Sequence, residues 1–324
     1  MIFKPKDTNL DSAESEKAYE YCRSVTKTHA KSFYFAAKFL PKHKQLPIYA
    51  LYALCRHVDD EVDESGIENE PEAAAAIENW KAKLDAVYFN AGKKNYELRI
   101  TNYELRKKIN EGQRTKDEGQ NLVLTAWKDL LKTYKIPQSL PLELMKGVLM
   151  DTHIKRYENF RELYVYCYRV ASTVGLMSSE IFGYADEKTL EYAEALGIAM
   201  QLTNILRDVG EDALMNRIYL PAEDLRKFGV SEKQIFDNRR DENFINLMKF
   251  QIERAREFYK KSEKGIALLE KDARFAVLLA SRIYAKILDE IERQNYDVFK
   301  RRAHTSFGQK VFGLPRIWRE AKKI

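Results

Sequence analysis

Three observations predict an all-α fold. Apolar residues recur with the helical period along nearly all of the 324 residues, and no run alternates convincingly as a strand would. Gly (13) and Pro (8) are scarce. The prolines Pro41, Pro71, Pro137, Pro141 and Pro221 fall at or near breaks or helix starts, where a missing N–H is tolerated. No stretch rich in Gly, Ser or Pro divides the chain, so residues 1–324 are read as one domain.

Taken in order, helices are expected at about 11–38, 44–63, 71–90, 119–134, 141–155, 160–182, 187–209, 241–269 and 272–294. Pro41 separates the first two and Pro71 opens the third; Pro137 precedes the fifth and Pro141 opens it. Asp186 and Asp272 are placed to N-cap the helices that follow them. Between the third and fourth helices, Asn95–Thr101 is repeated almost unchanged as Asn102–Lys108. Two copies are too few for a solenoid, so 93–118 is read as an exposed insertion. Beyond the last helix, Asp297–Ile324 carries eight Lys/Arg against two Asp/Glu, with aromatic residues interspersed. Two readings of this basic tail (303–324) stay open: a terminal helix docked on its own domain, or peripheral contact with an anionic membrane.

Composition excludes several classes. A net charge of +6 from 55 basic and 49 acidic residues, with no concentrated basic face outside the tail, argues against nucleic acid. Residues 1–7 carry no secretory apolar region, so no leader is expected, and no apolar run is long enough to span a bilayer. The three cysteines Cys22, Cys55 and Cys167 form no CxxC pair, which suits reduced thiols in the cytoplasm. No Gly-rich phosphate loop occurs, so any phosphate must be held by metal and cationic side chains.

Two acidic pentads carry the chemistry: Asp59-Asp60-Glu61-Val62-Asp63 and Asp208-Val209-Gly210-Glu211-Asp212. On a helix, Asp59 and Asp63 share a face about 6 Å apart along the axis, as do Asp208 and Asp212. Carboxylates so close repel unless a cation lies between them. One pentad alone reads as a solvated helix end; two point to facing helices that share a hard divalent cation such as Mg²⁺. Gln201, Asn204 and Asp208 form one polar stripe, and the guanidinium groups of Arg56 and Arg207 are suited to phosphate oxygens.

With these motifs located, the chain resembles the squalene and phytoene synthase family of head-to-head prenyl diphosphate condensing enzymes. The likeness spans nearly the whole chain. It is carried by His29-Ala30-Lys31-Ser32-Phe33, by Tyr52 to Asp63, by Tyr166 to Gly175, by Gln201 to Asp212 with Arg217-Ile218-Tyr219-Leu220-Pro221, and by Tyr296 to Arg302, which is like the phytoene synthases in particular. The resemblance implies an isoprenoid-synthase-type helical domain around a central cavity. It implies that Asp59, Asp63, Asp208 and Asp212, with Asn204, bind Mg²⁺ (Mn²⁺ as substitute) bridging two prenyl diphosphates. Arg56, Arg207 and Lys31 would hold diphosphate oxygens, with His29, Ser32, Phe33 and Gln201 at the substrate. Tyr52, Tyr166, Tyr219 and Tyr284 match cavity tyrosines, Tyr166 with a catalytic part; for Tyr166 and Tyr284 ordinary core packing stays equally open. Ser172 and Asn216 stand where the family often has Gly.

The reaction so implied ionises one diphosphate, lets the second substrate's double bond attack the allylic cation, closes a cyclopropane, and rearranges after a second ionisation. Ala37 aligns where relatives using farnesyl diphosphate can carry a bulky aromatic; its small side chain leaves room for geranylgeranyl diphosphate and favours phytoene. Without a nucleotide-binding motif, no NADPH is expected. Alternatives are a C30 enzyme making dehydrosqualene or presqualene diphosphate, and a non-catalytic relative acting as an assembly factor, which complete aspartate motifs disfavour. A di-iron helical bundle is excluded because no Glu-x-x-His pair occurs. A cytoplasmic monomer or weak homo-oligomer is expected, with any membrane contact at the inner face.

Overall fold

The computed structural model describes residues 13–64, 70–91 and 111–324. Among these the chain is helical, with two isolated β-bridges, Arg156–Ile218 and Tyr184–Leu269, and no strand. The helices are α1 (Ala13–His29), α2 (Lys31–Ala37), α3 (Lys42–Glu64), α4 (Glu70–Ala91), α5 (Glu111–Leu130), α6 (Ser139–His153), α7 (Phe160–Cys167), α8 (Thr173–Phe182) and α9 (Lys188–Leu214). They continue as α10 (Ala222–Phe228), α11 (Glu232–Phe236), α12 (Glu242–Ile266), α13 (Lys271–Arg293), α14 (Phe307–Phe312) and α15 (Leu314–Lys323).

The nine expected helices are present, with differences at their ends. The first is broken at Ala30, whose ψ of 63° separates α1 from α2. Ala30 is bonded from both sides, its N–H donating to Thr26 O (2.9 Å) and its carbonyl accepting from Tyr34 N (2.8 Å). The apolar period therefore runs through it unmarked. The sixth is divided by a π-helical segment, Tyr168–Ser172, between α7 and α8. The short α10, α11, α14 and α15 were not anticipated as separate elements; pieces of one or two turns carry little periodic signal. Asp186 accepts a bond from Lys188 N (2.9 Å) at the start of α9. Asp272 corrects the expected cap: it lies inside the first turn of α13, where its carboxylate accepts from the buried Lys44 ammonium at 2.5 Å. The duplicated segment Asn95–Lys108 lies outside the described residues, and the end of the expected insertion, 111–118, belongs to α5.

Apolar side chains gather in two large clusters. One is built by α1, α3, α4 and α5 around Trp80 and Trp127; the other by α9, α12 and the α10–α11 region around Phe244 and Leu247. A third, smaller cluster joins Ala36 of α2 and Ile266 of α12 to Leu279 and Ile283 of α13 and Ile317 of α15. Helix α15 is thus docked on the domain, and Arg282 reinforces it through Glu320 (3.3 Å). No described helix is long and apolar enough to cross a membrane.

Close packing of the central helices requires glycine, as at Gly197. A Cβ on Gly197 of α9 would stand 2.5 Å from Ser172 Cα and 2.6 Å from Ser172 N, so only hydrogen fits there. Ser172, noted as a departure from Gly, is accommodated because its hydroxyl donates to Glu194 O (2.8 Å). Asn216 adopts φ 55°, the left-handed conformation its position requires.

Candidate active site

A cavity of about 350 Å³ lies between the clusters. Helices α1 to α3 contribute His29, Ser32, Phe33, Ala37 and Tyr52 to its wall; α9 and α13 contribute Gln201, Asn204 and Tyr284. Val170, Ala171, Val174 and Gly175, in and after the π segment, form an apolar wall of small side chains. Eight of the predicted site residues are therefore brought to one cavity.

The two acidic motifs follow directly from its lining. Asp59 lies two turns beyond Tyr52 on α3, and Asp208 one turn beyond Asn204 on α9. Asp63 occupies the last turn of α3, and its side chain lies outside the described residues. Arg56 reaches Asp59 (3.4 Å) and also pairs with Asp60. Asp208 is gripped twice: by Arg207 (2.7 and 2.5 Å) and by Arg302 (2.9 and 3.0 Å). Burial works against its charge, but these guanidinium groups hold the carboxyl below its usual range. Asp212 behaves oppositely. Burial pushes it up to about 7, Asp208, Asp151 and Glu211 add to the rise, and Arg217 opposes it.

The donor set fits a hard divalent cation. Asn204 Nδ2 donates to Gln201 Oε1 (3.2 Å), while Asn204 Oδ1 is buried and meets no partner. An orphaned amide oxygen one helical turn from Asp208 is costly unless a cation or water reaches it. Among the described residues no three acidic, imidazole or thiol groups are already drawn together as a metal shell. Guanidinium groups stand against the carboxylates instead, supplying the positive charge that a phosphate-bound metal would share.

Three predicted residues sit elsewhere. Lys31 is on the exposed side of α2 and does not line the cavity. Tyr166 and Tyr219 stack on each other (5.1 Å between centroids), and Tyr157 stacks on Tyr219 and meets Tyr166 at a tilt, away from the cavity lining. Their hydroxyls donate to the two oxygens of Asp151, at 2.9 Å from Tyr166 and 2.7 Å from Tyr219. Burial first, then the Asp151 charge, pushes both phenols far above their ordinary value, so they act as donors. Sequence reasoning missed Asp151 and Arg302 as parts of the site. Asp151 stands in an apolar stretch of α6 with no motif around it, and Arg302 closes the Tyr296–Arg302 motif as one of three consecutive basic residues, with nothing to say which of them turns back to Asp208.

Comparison with known proteins follows the same lines. A profile of the squalene/phytoene synthase family matches residues 26–309. The chain belongs to the squalene/phytoene synthase family. Within this family it is 38% identical to a 15-cis-phytoene synthase of Synechocystis sp., covering 99% of this chain and 90% of that protein. It is 35% identical to the 15-cis-phytoene synthase of Synechococcus elongatus, covering 94% of this chain and 93% of that one. Among solved structures, a ligand-bound dehydrosqualene synthase superposes with a TM-score of 0.81 at 30% identity, over 96% of this chain and 99% of the other. A squalene synthase from Alicyclobacillus acidocaldarius shares the fold, with a TM-score of 0.71 at 23% identity, over 88% and 97% of the two chains.

Proposed function

We propose that the protein is a phytoene synthase, condensing two geranylgeranyl diphosphates head to head through a cyclopropyl diphosphate to phytoene. The observation that carries this reading is the cavity wall at Ala37. Its side chain is only 3% exposed and lines the cavity, where an aromatic ring would shorten the space for a prenyl chain. The likeness to proteins named phytoene synthase supports the same choice. A C30 reading has one observation in its favour, the close superposition on a dehydrosqualene synthase.

Asp59, Asp63, Asp208, Asp212 and Asn204 are the residues that would hold Mg²⁺. When bound, the metal neutralises diphosphate charge and so makes a better leaving group. Arg56 and Arg207 bind and orient diphosphate oxygens, with His29, Ser32 and Gln201 of the cavity wall around them. Tyr52 and Tyr284 line the cavity, and aromatic rings there are suited to a passing cation. Small and apolar residues from Val170 to Gly175 exclude water, which would otherwise quench that cation as an alcohol. Tyr166 and Tyr219, fixed on Asp151, keep their protons and stiffen the wall beside α9. We further place the enzyme in the cytoplasm, acting without NADPH, as a single domain in contact with the inner membrane face.

The test is incubation of purified protein with Mg²⁺ and either geranylgeranyl or farnesyl diphosphate, without NADPH, followed by mass analysis of hexane extracts. A C40 hydrocarbon from the longer donor, lost in Asp208→Ala, is expected. A C30 product from the shorter donor alone would replace this reading with the dehydrosqualene one. No product from either donor, in a folded protein, would remove both.

A further inference from the structure

We propose that the π-helical turn Tyr168–Ser172 is a positioning element of the reaction, and that Arg169, paired with Glu143, latches it so that Val170 keeps water from the reacting carbons. This rests on the proposed condensation of two prenyl diphosphates. The turn closes with Thr173 N–H donating to Tyr168 O, five residues back. Such turns are rare inside helices and gather at functional sites.

Its effect is a change of face. Val170, Ala171, Val174, Gly175, Ser178 and Ser179 recur every four residues and line the cavity. Carried back by one more α-helical turn, this stripe would place Tyr166 and Cys167 on the cavity too. The π turn holds an extra residue, which rotates the helix before it by about 100°. Tyr166 turns to Asp151 instead (2.9 Å), and aliphatic Val170 becomes the first residue of the wall. That wall begins close to the chemistry. Gly197 meets Ser172 and Gly175 meets Ala193, so α8 and α9 run antiparallel. Val170 is therefore level with the turn of Met200 and Gln201, both on the cavity and one turn before Asn204.

The turn is clamped between two helices. On the α9 side it rests on Gly197 and on the bond from the Ser172 hydroxyl to Glu194 O (2.8 Å). On the α6 side, a Cβ on Gly147 would stand 2.6 Å from Arg169 Cβ and 2.8 Å from Val170 Cγ1. Bare backbone there gives no side chain to interlock, and Arg169 supplies the lock. Its Nε donates to Glu143 (3.1 Å) and its Nη1 to Met150 Sδ (3.4 Å), one helical turn to either side of Gly147. The Thr173 hydroxyl donates to Arg169 O (2.7 Å) and fixes the same residue from behind. Arg169 and Glu143 are 30% and 29% exposed, whereas Val170, next in the chain, faces the cavity. Solvent and cavity are thus one helical turn apart. When the allylic C–O bond breaks, its electron pair leaves on the diphosphate. A water passing this wall would bond to C1, lose a proton and leave a prenyl alcohol.

The experiment gives Mg²⁺ and the donor that the parent condenses to Arg169→Met, Glu143→Gln and the double variant, each well below its melting midpoint. Prenyl alcohol is measured against hydrocarbon, and released diphosphate against both. The alcohol fraction should rise about threefold in each variant, a ratio within what a partly exposed ion pair sustains. Total diphosphate release should change little. The double variant should be no worse than either single one, because one interaction is lost. Arg169→Lys keeps the charge and should recover part of the hydrocarbon yield. Lys146→Ala removes the other partner of Glu143 (2.6 Å) and should match the parent. An alcohol fraction equal to the parent's in Arg169→Met, or additive effects in the double variant, overturns the latch. A fall of all products together, without diversion to alcohol, would give Arg169 a structural part only and overturn it too. A parent that condenses neither donor would remove the reading of the reaction, and with it the positioning part. The latch itself is then read by amide exchange: peptides covering 168–173 should exchange faster in Arg169→Met than in Lys146→Ala, and equal exchange overturns it.

Discussion

Asp208 and Asp212 lie one helical turn apart and are driven in opposite directions. Asp208 is held ionised by Arg207 and Arg302, while Asp212 is pushed up to about 7 by burial and by its acidic neighbours. An acid whose folded value lies above its ordinary 3.8 binds a proton in the folded protein that the unfolded chain has released. Its contribution to stability is therefore present at low pH and is lost as pH rises from about 4 to about 7. Without metal, Asp212→Asn should consequently be more stable than the parent at pH 7.5, with the difference vanishing near pH 4; thermal melts across that range check it. Mg²⁺ should reverse the order, raising the parent's midpoint at pH 7.5 and leaving that of Asp212→Asn little changed. At the far end of the site, Ala37→Phe should shift preference toward farnesyl diphosphate; competition between the two donors measures this, and an unchanged ratio would remove Ala37 as a length determinant. At this scale the sequence was informative about donors and silent about partners. The spacing of Gln201, Asn204 and Asp208 placed them on one stripe, but the second guanidinium on Asp208 comes from 94 residues away. No local pattern marks such a pairing.

Helices were legible because each buries one stripe for many turns, and their breaks were not. The interruption at Ala30 is one residue long and bonded from both sides, and the π segment keeps its apolar residues, so neither disturbs the period from which a helix is read. Helix α9 shows what packing adds. Beyond Gly197, it carries a second glycine against a foreign backbone, since a Cβ on Gly210 would stand 2.9 Å from Val298 O and 3.0 Å from Phe299 Cα. This approach seats the segment that delivers Arg302 to Asp208. Gly210→Val should cost about 1–3 kcal/mol by overpacking and lower condensation as Arg302 is displaced; a denaturant midpoint equal to the parent's would show that the segment is not held there. The tandem repeat belongs to this scale too. Removal of 93–110, ending just before α5 begins at Glu111, should leave condensation largely intact, measured as product yield from protein of matched melting temperature.

Across the whole molecule, elements distant in sequence are tied by a few buried polar groups. Lys44 of α3 is 3% exposed, and its ammonium donates to Phe182 O at the end of α8, to Glu270 before α13 and to Asp272 within it. Lys44→Met should cost about 1–3 kcal/mol, chiefly by stranding the Phe182 carbonyl; the two carboxylates are partly exposed and return to water. Urea unfolding of parent and variant reads that difference, and no change would assign Lys44 no part in tying α3 to α8 and α13. The sequence by itself determined the all-α class, the two acidic motifs and the family. Periodicity, composition and spacing are properties of neighbouring residues, and a helix keeps them within one or two turns. Tertiary structure alone decided that Asp151 holds Tyr166 and Tyr219, that Arg302 returns to Asp208, and that Ile317 backs the cavity wall. Each joins separate segments of the chain, and its partner is chosen by how the helices and the turns between them pack, which no short stretch of sequence encodes.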